Sequence, residues 1–121
     1  MNAELPRPIS EIEATLIREA LAVAPLPEAH AAMLENLSNL QVVYRCPCGC
    51  GSVSFAIPEG RETKLTRVAD AQGKTSTGEM VGFMVRATPE QVAHIEVYWH
   101  HTEGAPLPEP GSLEPWRGRT V

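Results

Sequence analysis

The chain has 121 residues, 43% of them apolar, three cysteines and a net charge of −5. That is enough for one domain with its own apolar core. No apolar run approaches the ~20 residues that span a bilayer, and the first residues lack a signal peptide's basic and apolar regions, so the expected setting is cytoplasmic with reduced thiols. The charge is uneven: residues 1–40 carry a net −4, residues 41–74 a net +2 and residues 75–121 a net −3. Such a balance repels phosphate backbones and attracts basic partners.

Residues 1–9, with Pro6 and Pro8, read as an irregular arm. Ser10-Glu11-Ile12-Glu13 has the form of a capping box, in which Ser10 and Glu13 satisfy each other's backbone N–H. Ile12, Leu16, Ala20 and Val23 recur at helical spacing, which predicts an amphipathic helix from about Glu11 to Val23. Pro25 and Pro27 stop it. Ala29, Met33, Leu37 and Leu40 again fit one face and predict a second helix from about Glu28 to Leu37, making a helical hairpin.

After Leu40 the pattern turns to strands. Residues 41–45 are β-prone, residues 46–51 form a turn and residues 52–57 alternate at period two. Residues 64–69 are a weaker strand, punctuated by residues 71–74. Residues 80–86 form a fourth strand. Thr88-Pro89-Glu90-Gln91 leads into a fifth from Ala93 to His100, where Ile95, Val97 and Trp99 alternate with His94, Glu96, Tyr98 and His100.

Short connections favour pairing of successive strands. The expected fold is therefore α+β: an N-terminal two-helix hairpin (residues 10–40) packed on a five-stranded antiparallel meander sheet (residues 41–101), as a single domain over 1–121. The tail, residues 102–121, has prolines at 106, 108, 110 and 115 and is expected to be pinned back by Leu107, Leu113 and Trp116.

Cys46-Pro47-Cys48-Gly49-Cys50 is the sharpest local anomaly. Convergent thiolates here would suit a soft metal such as zinc, with His94, His100 or His101 as a fourth ligand. Against this, the cysteines are separated by one residue, whereas paired zinc ligands usually stand two to four apart. A tight hairpin with small, partly buried cysteines accounts for the same residues, and no cofactor is expected. A catalytic thiol would need a base nearby, and no spacing supplies one.

His94, Glu96, Tyr98 and His100 share one face of the last strand. They suit acid–base work, or the solvated face of a half-buried strand. Gly73-Lys74-Thr75 resembles the end of a phosphate loop. The glycine required five positions earlier is Val68, however, and a β-prone run follows in place of a helix, so nucleotide binding is excluded. No basic patch is interleaved with aromatics, which argues against nucleic acid.

Arg45-Cys46-x-Cys48-Gly49-Cys50-x-Ser52-Val53, followed by Ile95-Glu96-Val97-Tyr98 and a Leu107-Pro108-x-Pro110 tail with Leu113 and Trp116, resembles a group of small uncharacterised bacterial proteins. The resemblance covers about half the chain and implies a helical N-terminal half with a C-terminal meander. It brings no activity with it. The expectation is a non-catalytic, protein-binding domain of the immunity or antitoxin type, neutralising a basic toxin such as a nuclease. Glu79, Glu96, Tyr98 and Glu103 are its contact residues, because exposed carboxylates and an aromatic anchor suit a basic partner. The alternatives are a metal- or redox-sensing domain on Cys46, Cys48 and Cys50, and an enzyme built on the last strand's histidines.

Overall fold

The computed structural model describes residues 5–27, 32–47, 49–58, 64–98 and 104–116. One seven-stranded antiparallel sheet dominates. Its strands are β1 (Arg7–Pro8), β2 (Gln41–Arg45), β3 (Val53–Phe55), β4 (Thr66–Lys74), β5 (Met80–Ala87), β6 (Val92–Tyr98) and β7 (Glu114–Pro115), and their order is β1-β2-β3-β6-β5-β4-β7. One long helix, α1 (Glu11–Val23), covers one face of the sheet, packing on β4 and β5. Among the described residues no helix is long and apolar enough to cross a membrane.

The expected two-helix hairpin on a five-stranded meander is overturned. Residues 28–31, where the expected second helix begins, lie outside the described residues; among the described ones it is a single turn, α2 (Ala32–Glu35), followed by a 3-10 turn at Leu37–Asn39. Met33, Leu37 and Leu40 are buried as their spacing required. Ala29, the fourth residue of that spacing, lies outside the described residues, and three anchors over so short a span are met as well by a turn as by a long helix. The sheet gains β1 and β7, two residues each. Nor is it a meander: β3 pairs with β6 instead of β4. The pairing of Val53 with Ile95 and Ser54 with His94 places β3 beside the last long strand.

The capping box forms as the sequence required. The Glu13 amide donates to Ser10 Oγ (3.0 Å), and the Ser10 amide donates to Glu13 Oε1 (2.9 Å). Glu13 also receives both guanidinium arms of Arg7, at 3.1 and 2.8 Å, although its side chain is only 4% exposed. Burial alone would raise its pKa, but the Arg7 bonds and the Ser10 amide outweigh that and hold it below the ordinary carboxylate value. The cap thus ties β1 to the helix start.

The buried face of α1 carries Glu13, Ala14, Leu16, Ile17 and Ala20. It is rotated from the face read in the sequence, leaving Ile12 and Val23 exposed. Opposite lie Ala69 and Ala71 of β4, Phe83 and Val85 of β5, and Ile95 and Val97 of β6, all in one cluster.

The tail closes the end of this core. The Gly51 amide donates to Ala105 O (2.9 Å) and the Glu109 amide to Lys74 O (2.7 Å). The Gly111 amide donates to the Glu19 carboxylate of α1 (2.9 Å). Pro108 and Leu113 are buried and Leu107 packs against the cluster. A Cβ on Gly73 would stand 2.8–2.9 Å from Leu113, Ser112 and Pro108, so residues 71–74, read as a strand break, continue β4, and the glycine admits the tail.

Candidate functional site

The sheet face turned away from α1 carries the polar half of each strand's alternation. Its rows follow from the register. One row runs Tyr44, Ser54, His94, Arg86, Arg67 across β2, β3, β6, β5 and β4. The next holds Glu96, Met84 and Asp70. The third holds Tyr98, Gly82, Gln72 and Glu114.

These side chains are bonded to one another. Arg67 and Arg86 stand directly opposite, an unfavourable like-charge pair. Each is matched by a carboxylate in the next row: Arg86 Nη1 to Glu96 Oε1 at 3.0 Å, and Arg67 Nη1 to Asp70 Oδ2 at 3.5 Å. Gln72 Nε2 donates to Glu114 (2.8 Å). Ser54 Oγ and His94 Nδ1 lie 2.9 Å apart. Burial lowers the His94 pKa, with Arg86 acting the same way and Glu96 opposing. The ring is therefore neutral near pH 7.

Tyr98 lies across Gly82, where any Cβ would collide with its ring. Its hydroxyl reaches past β5 and donates to Asp70 Oδ1 (2.9 Å). Burial, followed by the Asp70 hydrogen bond and charge, pushes its pKa far above the ordinary phenol value, so it remains a donor at neutral pH. Trp116 packs edge-on against it, with ring centroids 5.7 Å apart.

Of the expected contact residues, Glu96 and Tyr98 share this open face. Glu79 is exposed in the β4–β5 turn, where its amide donates to Thr75 Oγ1 (3.2 Å). Glu103 lies outside the described residues, as do Cys48 and His100 of the expected metal set. Cys46 and Cys50 are partly exposed. Cys50 Sγ donates to Ser52 Oγ (3.2 Å), which accepts from the Val97 amide (2.8 Å) and ties the hairpin to β6. Among the described residues no three His, Cys, Asp or Glu side chains are grouped to hold a metal.

Sequence reasoning missed Ser54, Asp70, Gly82 and Arg86. Residues 80–86 read as a strand, which did not show what crosses Gly82 or pairs with Arg86. Asp70 falls between the strand read over residues 64–69 and the break read at 71–74, and is in fact mid-strand in β4. No protein-family model matches the sequence, and no curated protein or solved structure shows significant similarity to it.

Proposed function

We propose that the protein is a non-catalytic, protein-binding domain of the immunity or antitoxin type, docking a basic toxin domain such as a nuclease on the open face of its sheet. The observation that carries this reading is Tyr98, held across Gly82 by Asp70 and flanked by Trp116 and Glu96. An aromatic ring fixed before association loses little rotamer freedom on binding, the property expected of an interface anchor. Tyr44, on the same face, is 54% exposed.

The charges support a protein partner over a polyanion. Among the described residues the face carries Arg67, Lys74 and Arg86 against Asp70, Glu96 and Glu114. A balanced face gives no net attraction to phosphate. The overall −5 steers a basic domain from a distance, and paired side chains set register at contact.

The test is co-expression with toxic domains encoded beside the gene. Wild-type protein restores growth, and its association slows as salt rises. Tyr98→Ala weakens the complex by about tenfold or more, as for an interface anchor. Failure to restore growth, or a complex indifferent to both salt and Tyr98→Ala, rejects the proposal.

A further inference from the structure

The outer edge of β4 is covered by two separate chain segments that meet it end to end. On one side Pro25 bridges to Ala69 and the Leu26 amide donates to Val68 O (2.9 Å). On the other, β7 pairs with Ala71 and Gln72. Asp70 sits at the junction. Its amide donates to Ala24 O (3.3 Å), and its carbonyl accepts from the Trp116 amide (3.4 Å). Between the two segments is an open depression of about 370 Å³, lined chiefly by Ala24, Pro25, Leu26, Asp70, Pro115 and Trp116.

The backbone of the lining offers no spare N–H. Pro25 and Pro115 have no backbone N–H. The amides of Ala24, Leu26, Asp70 and Trp116 all donate within the protein, that of Ala24 to Ala20 O. The other lining residues are uncharged, and Asp70 is the one charged residue of the lining. A carboxylate offers about four acceptor positions, of which Tyr98 takes one at 2.9 Å and Arg67 approaches another at 3.5 Å. The Arg67 side chain is itself 54% exposed, so its hold is long and weakly buried.

We infer that this depression receives an arginine side chain of a partner protein, its guanidinium donating to Asp70 between the Trp116 wall and the two prolines. Arginine fits better than lysine because it is planar, donor-rich, weakly hydrated and able to lie along aromatic and proline surfaces. Arg67 is the intramolecular competitor that the incoming group displaces. The inference rests on the partner-binding reading for the source of the arginine.

The closing experiment uses a free derivative, so it can fail while that reading stands. The full chain is titrated with Nα-acetyl-arginine methylamide and followed by amide NMR shifts. Saturable shifts are expected at Leu26, Asp70 and Trp116, with weaker binding of the lysine analogue. Asp70→Asn weakens binding by about tenfold, the loss expected for a charge-assisted bond. Arg67→Ala, at an exposed position, tightens it and keeps the test decisive if Asp70→Asn unfolds. Unsaturable shifts, equal shifts with the acetyl-leucine analogue, or unchanged or weaker binding in Arg67→Ala overturn the inference.

Discussion

The ring of Tyr98 occupies the space that a side chain at position 82 would need. Gly82 is therefore a cover site for an aromatic side chain from the neighbouring strand, which shields the backbone that the missing side chain leaves bare. Gly82→Ala must swing the ring aside and break the Tyr98–Asp70 bond. We predict a loss of about 1–2 kcal/mol, read from urea unfolding. Because Tyr98→Ala removes the clash, the double variant costs less than the sum of the two single variants. In Gly82→Ala the Tyr98 hydroxyl, freed from Asp70, titrates lower than in wild type by ultraviolet absorbance.

The Arg7–Glu13 pair gives a pH signature. Glu13 has its pKa lowered in the folded state from an ordinary 4.5. The unfolded chain therefore takes up the proton first as pH falls. The stability contributed by Glu13 is complete above pH 4.5 and is lost as pH drops through the folded pKa. Glu13→Gln should cost about 1–3 kcal/mol at neutral pH, because it leaves the guanidinium without its charged partner. The gap between variant and wild type narrows below pH 4.5 in denaturant titrations. A gap that stays constant down to pH 3 contradicts this.

His94 gives the same sign of pH dependence at a higher pH. Its folded pKa lies below the ordinary 6.5, so the unfolded chain binds more protons in the window just beneath that value. Stability falls as pH drops from 6.5 toward the folded midpoint, and is flat again below it. His94→Gln should flatten that slope. NMR titration of the ring should place its midpoint under 6.5, and Ser54→Ala should shift it by removing the 2.9 Å contact.

The local signals were readable where neighbours in sequence are also neighbours in space. Ser10 and Glu13 cap α1, which ends at Val23 as the prolines at 25 and 27 required. The alternation read in the last strand placed Glu96 and Tyr98 on one face. The strand order was not readable, because β3 joining β6 is a contact across some 40 residues and no local pattern encodes it. The two-residue strands β1 and β7 each contain a proline and are too short for any period to show. Nor does the helix face follow from spacing alone. Glu13 is charged and would be assigned to solvent, yet it is buried on Arg7, and its burial turns Ile12 outward.

Gly73 shows how the tail contributes to stability. A Cβ there meets three separate groups, Leu113, Ser112 and Pro108, which belong to a segment fixed at both ends. Glu109 and Ser112 bond to Lys74 on one side, and Gly111 bonds to Glu19 of α1 on the other. The segment cannot rotate away as a single exposed side chain could. Gly73→Val should therefore detach the tail, at a cost above the 1–3 kcal/mol typical of overpacking. Leu113→Ala, which only empties the contact, should cost about 2–3 kcal/mol, the lower part of the range for a buried leucine. Hydrogen exchange separates the two: Gly73→Val loses protection at the Glu109 and Gly111 amides together with Lys74, whereas Leu113→Ala keeps the Lys74 bonds. Equal protection in both variants would show that the tail is held by its backbone bonds alone.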